Sequence, residues 1–129
     1  MPRRAGVILA VADVDRSVAF YRDAIGAEVE ALYDDPPYAT LTIAGARLSL
    51  AEQGHAAEDR PGVELAAPAD ASRAAAVLVV EVDDARGEHA RLGAQGVRFL
   101  ADPYEPPWGG CRFFCIDPDG YLVEIEQPA

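Results

Sequence analysis

The side chains most often recruited for metal and proton chemistry are scarce in this chain. It has two histidines, His55 and His89, although imidazole is the group that metal centres and proton shuttles use most. Its two cysteines, Cys111 and Cys115, lie four apart in a β-like run, so their side chains share a face roughly 13 Å apart and cannot bridge each other. What the sequence offers instead is aromatic surface. The segment Tyr104-Glu105-Pro106-Pro107-Trp108-Gly109-Gly110-Cys111-Arg112-Phe113-Phe114 carries the one tryptophan on a proline-stiffened loop that leads into a strand. A rigid aromatic gives large contact area at small entropic cost, which suits stacking on a flat ligand. Plugging one end of a core would use the same residue. Tyr33 and Tyr38 flank Asp34-Asp35-Pro36-Pro37 at a hairpin and offer a second aromatic wall. For a cationic ligand, Asp34, Asp35, Glu105 and Glu124 would supply attraction.

Composition narrows the partners. At 129 residues the chain fits one domain, long enough to bury roughly two thirds of the surface its unfolded form exposes. A formal net charge of -11 argues against nucleic acid, whose phosphates would be repelled, and against anionic membrane surfaces. The same charge serves solubility. All 11 basic residues are arginine. No apolar run approaches the roughly 20 residues that span a bilayer, and no basic-plus-apolar leader opens the sequence. A soluble cytoplasmic protein is expected.

The elements that would position these residues come in two copies. Val11 to Val29 is echoed by Val79 to Val97 in a gapless register, with 68 residues separating Val14 from Val82 and Val29 from Val97. Each copy reads as an apolar strand (Gly6 to Ala12; Val77 to Val82), an aspartate, a helix, a glycine and a second strand. Asp13 or Asp15 can accept a backbone N–H at the first helix start, and Asp83 or Asp84 at the second. The first helix carries Val18, Tyr21 and Ile25 at helical spacing and stops at Gly26; the second carries Ala85, His89 and Leu92 but is weakened by about 1 kcal/mol at Gly87. A meander follows each helix. Its strands are Glu28 to Tyr33, Ala39 to Ile43 and Arg47 to Glu52 in the first half, with a tight turn at Ala44-Gly45. In the second they are Val97 to Leu100, Cys111 to Ile116 and Tyr121 to Glu126, with a turn at Asp117-Pro118-Asp119-Gly120. An Ala/Pro-rich connector, about residues 54–75, joins module one (about 4–53) to module two (about 76–128), the whole forming a single α+β domain over 1–129.

Two motifs in this framework carry a family likeness: Asp15-Arg16-Ser17-Val18-Ala19-Phe20-Tyr21-Arg22-Asp23-Ala24-Ile25-Gly26, and Phe114-Cys115-Ile116-Asp117-Pro118-Asp119-Gly120-Tyr121-Leu122-Val123-Glu124. Together they resemble the vicinal oxygen chelate superfamily, which groups glyoxalase I, extradiol dioxygenases and the bleomycin-resistance proteins. The resemblance implies tandem βαβββ modules forming curled mixed sheets around a cleft, with helices outside, and a homodimer. Enzymes of that superfamily hold a divalent metal through ligands on the first and last strands of each module. Such a cation takes imidazole nitrogen and carboxylate oxygen at about 2.0 to 2.2 Å, with positions left open for substrate. Carried over one at a time, those ligand positions fall on Gly6, Ser49, Val77 and Glu124, and only the last has a ligating side chain of the required kind. No metal and no cofactor are therefore expected. His55 lies in the connector and His89 on an outer helix, too far from the strands to substitute.

Side chains alternate along a strand, so residues in phase with those positions should face the cleft: Gly6, Ile8 and Ala10; Arg47, Ser49 and Ala51; Val77, Val79 and Glu81; Leu122, Glu124 and Glu126. Their neighbours Val7, Leu9, Val11, Leu48, Leu50, Leu78, Val80, Val123 and Ile125 should pack under the helices. The Trp108 loop resembles the Pro-Trp-Gly segment of the metal-free, drug-binding branch. The residues assigned to a ligand are thus Trp108, Glu124, Arg47, Ser49, Tyr38, Tyr33, Arg112 and Phe114. An ion pair between Glu124 and Arg47 would account for those two without any ligand. The function implied is metal-independent binding and sequestration of a small hydrophobic or planar molecule, as in antibiotic resistance. The alternative is a lyase, isomerase or dioxygenase-like enzyme with an atypical metal or a metal-free acid/base site at Glu124, Arg47 or Arg112 serving as oxyanion partner. A protein-interaction module with a vestigial cleft is a third reading.

Overall fold

A computed structural model describes residues 1–129. The chain divides into two compact units, Met1–Ala69 and Asp70–Ala129, and each contains one helix and one four-stranded mixed sheet. In the first unit β1 (Gly6–Val11) leads into α1 (Val14–Phe20), and β2 (Glu28–Asp34), β3 (Pro37–Ile43) and β4 (Ala46–Glu52) follow. In the second, β5 (Leu78–Glu81) leads into α2 (Ala85–Ala94), then β6 (Arg98–Phe99), β7 (Cys111–Ile116) and β8 (Leu122–Gln127). The sheet orders are β1-β4-β3-β2 and β5-β8-β7-β6. In each, the first strand runs parallel to the last while the meander is antiparallel. This is one βαβββ module made twice.

Local chemistry explains the starts and stops. Asp13 accepts the N–H of Arg16 at 3.1 Å and Asp84 that of Gly87 at 3.0 Å, so these two aspartates cap the helices. Their separation, 84 − 13 = 71 residues, corrects the gapless 68-residue register expected from sequence. The identical residues Asp15 and Asp83 are not equivalent: Asp15 stands inside the first turn of α1, and hydrogen bonding decides which aspartate begins a helix. A wide π-helical turn, Tyr21–Ile25, then continues α1 to Gly26. The β3–β4 hairpin closes through Ala44 (φ 49°) and Gly45 (φ 84°), both left-handed, as a two-residue turn matching strand twist requires. In the second unit Asp117 accepts the N–H groups of Asp119 and Tyr121, both at 2.9 Å, and locks the turn before β8.

The strands all sit within a residue or two of their expected bounds; β6, one residue shorter at each end than Val97 to Leu100, is left with only Arg98–Phe99. Asp102-Pro103 follow closely, and Leu100 contributes one backbone bond to Phe114 at 3.1 Å. In both units the helix covers one sheet face. Val11, Ala39, Leu41, Leu48 and Leu50 are buried with Val14, Val18 and Tyr21 in the first; Cys111, Phe113, Cys115, Val123 and Ile125 with Ala85 and Leu92 in the second. His89 belongs to this packing, its ring stacked 4.1 Å from Phe99 and edge-on to Phe113. His55 pairs with Glu52 at 2.7 Å on the surface. No helix is long and apolar enough to cross a membrane.

Candidate functional site

With one face of each sheet under its helix, the alternate residues define the opposite face, and cross-strand register places them in rows. In the first unit Ile8 stands beside Ser49 and Ser49 beside Thr40; the next row is Ala10, Ala51, Tyr38 and Tyr33. Arg47 reaches along this face to donate from Nε to the Ser49 hydroxyl at 3.0 Å and from Nη2 to the Tyr38 hydroxyl at 3.1 Å. Ser49 is fully buried and its oxygen has this partner. The Tyr33 and Tyr38 rings are 6.2 Å apart. Four of the residues assigned to a ligand therefore gather in one polar and aromatic cluster. Beyond it, Glu30 takes bonds from Arg4 at 2.6 Å and Thr42 at 2.8 Å, which hold its carboxyl below the usual range.

The other four gather in the second unit. Val79, Glu124 and Phe114 form one row, and Glu81, Glu126, Arg112 and Tyr104 the next. Reciprocal backbone bonds between Tyr104 and Arg112, at 2.8 and 2.9 Å, close a loop whose tip carries Trp108. The loop turns back at Gly110, whose φ of 79° and approach to the Gln127 carbonyl leave no space for a side chain. Trp108 is 72% exposed, so it plugs no core. The guanidinium carbon of Arg112 lies 5.7 Å from the Tyr104 ring centre, 5.8 Å from Trp108 and 5.9 Å from Phe114. Its one ionic neighbour is Glu124, at 3.9 Å. Burial pushes the Glu124 carboxyl above its ordinary pKa; the adjacent Glu126 carboxyl adds to the shift and Arg112 opposes it. A carboxyl with a raised pKa, an arginine and three aromatic rings can stack a flat molecule, bond its oxygens, or move a proton. Tyr104 and Glu126 complete this group but escaped assignment, although cross-strand phase had put Glu126 on the right face.

The metal-ligand positions can be judged by their contents. Ser49 is buried under Arg47, and Val77 carries no donor. A Cβ on Gly6 would collide with the Arg47 carbonyl oxygen in the neighbouring strand, so β1 packs too closely there for any side chain. No group of three His, Cys, Asp or Glu side chains is placed so that it could hold a metal ion. A separate hollow of about 480 Å³ lies at the start of α2, lined by Asp84, Arg86, Glu105 and Gln127 among others. Its polar groups are engaged: Asp84 caps the helix, Gln127 accepts from Ala85 and Arg86 pairs with Glu105.

Two βαβββ modules in tandem, each sheet covered on one face by its helix, define a recognisable class of small α+β proteins. The chain belongs to the Glyoxalase/Bleomycin resistance protein/Dioxygenase superfamily, whose model matches residues 4–125. Among solved structures it is similar to TioX from Micromonospora sp. ML1, with a TM-score of 0.77 and 21% identity over 98% of both chains. It is also similar to TnmS3, an antibiotic binding protein from Streptomyces sp. CB03234, with a TM-score of 0.70 and 22% identity over 100% of this chain and 98% of that one. A lactoylglutathione lyase from Agrobacterium tumefaciens gives 0.75 and 20% identity over 97% and 92%. No curated protein matches the chain.

Proposed function

We propose that this protein binds a flat, largely apolar small molecule and sequesters it unchanged, without a metal, as a cytoplasmic homodimer that protects against an antibiotic or similar metabolite. The observation that carries this reading is Trp108, 72% exposed at the tip of a loop pinned to β7, with Phe114 and Val79 on the neighbouring sheet face. A large apolar ring held in solvent costs free energy unless something covers it, and a rigid ring loses little entropy on doing so. The likeness to TnmS3 points the same way. Metal independence draws support from the four superfamily ligand positions, of which Glu124 alone offers a suitable donor. The free, buried Cys111 and Cys115 suit a reducing compartment.

Titration with a panel of planar aromatic drugs should change Trp108 fluorescence, and Trp108→Ala should weaken binding roughly tenfold. A variant that binds as well as the parent would remove the stacking role. The raised pKa of Glu124 favours one further reading, an enzyme using that carboxyl for proton transfer. Mass spectrometry of the bound molecule separates the two, since sequestration returns it intact. Near-stoichiometric Fe, Mn, Ni or Zn in gently purified protein would overturn metal independence.

A further inference from the structure

The ring contacts of Arg112 raise a question about its remaining chemistry. A guanidinium has five N–H donors in a rigid fork. Arg4, Arg22 and Arg91 direct theirs to carboxylates at 2.6, 2.8 and 2.5 Å, and Arg47 to two hydroxyls. Arg112 is framed by Tyr104, Trp108 and Phe114 and is only 34% exposed, yet its side chain makes no hydrogen bond. Contact with aromatic faces engages the positive charge and leaves the donors unspent. The nearest carboxylate oxygen, on Glu124, is 3.9 Å away, well beyond the 2.7–2.9 Å of a charge-assisted bond. The backbone bridge between Tyr104 and Arg112 fixes the base of the side chain, so the fork is held ready.

We propose that Arg112 selects the ligand by charge: the second unit takes a planar aromatic molecule bearing an acidic oxygen, carboxylate or phenolate, which receives the unspent N–H donors of Arg112 while its ring stacks beside Trp108. This rests on the stacking role given to Trp108 above and adds the class of ligand.

The probes are 2-naphthoate and 2-naphthamide, which share ring and shape and differ in charge, titrated calorimetrically and by Trp108 fluorescence at low ionic strength. The parent protein should prefer 2-naphthoate at least tenfold, the scale of one charged hydrogen bond. Arg112→Met, which keeps an apolar stem, should erase the preference, weakening 2-naphthoate at least tenfold more than 2-naphthamide. Arg112→Lys keeps the charge without the planar fork and should retain only part of the preference, which keeps the test usable if the methionine variant misfolds. Equal affinity of the parent for both probes overturns the charge selection and leaves stacking intact. An equal loss of both probes in a folded Arg112→Met variant also overturns it, because the arginine would then only support the loop. If neither probe perturbs Trp108, the stacking reading fails and this inference with it.

Discussion

Glu124 and Glu126 stand on the same face of β8, and Arg112 lies directly across from Glu126. Burial and the second carboxyl raise the Glu124 pKa, so the folded state holds a proton there more tightly than the unfolded chain does. The sign follows: this group stabilises the fold below the ordinary glutamate value, near pH 4.3, and that contribution is lost as pH rises through the higher folded value. Glu126→Gln removes the like charge, so Glu124 should titrate lower and the fall in stability towards neutral pH should shrink. Denaturant unfolding at a series of pH values, with carboxyl carbon shifts to follow Glu124, measures both. An unchanged profile would mean that burial alone sets the shift. Glu124 was legible as a face residue because alternation along β8 is strict. Its proton affinity was not, because that depends first on water excluded around it, then on how close the Glu126 carboxyl comes, and on Arg112 from the next strand.

At the scale of elements, turns and caps were readable wherever one side chain decides the geometry. Asp117-Pro118-Asp119-Gly120 forms the expected turn, and Ala44-Gly45 the expected hairpin. The hairpin retains a cost, since Ala44 adopts φ 49° and an alanine pays roughly 1 kcal/mol or more for the left-handed region. Ala44→Asn would place the favoured Asn-Gly pair at this turn and should stabilise the protein by about 0.5–1 kcal/mol, read as a higher denaturant midpoint at constant m-value. No gain would indicate that the alanine conformation is already favoured by its flanking strands. Gly87 shows why a propensity penalty alone misleads. It weakens α2, yet a Cβ there would press on the Asp84 carboxylate that caps the same helix. The π-helical end of α1 had no comparable local signal, because Tyr21 and Ala24 are placed by burial against the sheet.

For the whole molecule, three strands lie at sheet edges with apolar side chains in solvent: Val7 and Ile8 in β1, 41% and 51% exposed, Val29 and Leu32 in β2, 37% and 61% exposed, and Val79 in β5, 49% exposed. The six residues of β1 carry no charge, which leaves an edge open to pairing unless it is covered. Homodimerisation would provide that cover, and light scattering should then give twice the 13.7 kDa of one chain. A monomeric mass at micromolar concentration would count against the dimer and leave the ligand reading untouched. The sequence by itself determined the two-module α+β architecture, because a motif repeated with its strands, caps and turns is written in local patterns of period and residue type. It also determined which positions lack ligating side chains, since that is a matter of identity. Tertiary structure alone decided the companions of each site residue: Arg47 with Ser49 and Tyr38, and Arg112 with three aromatic rings rather than a bonded carboxylate. Those contacts join residues within nine positions of one another, yet they arise from register between strands, side-chain direction and loop closure, which residue type and spacing alone do not encode.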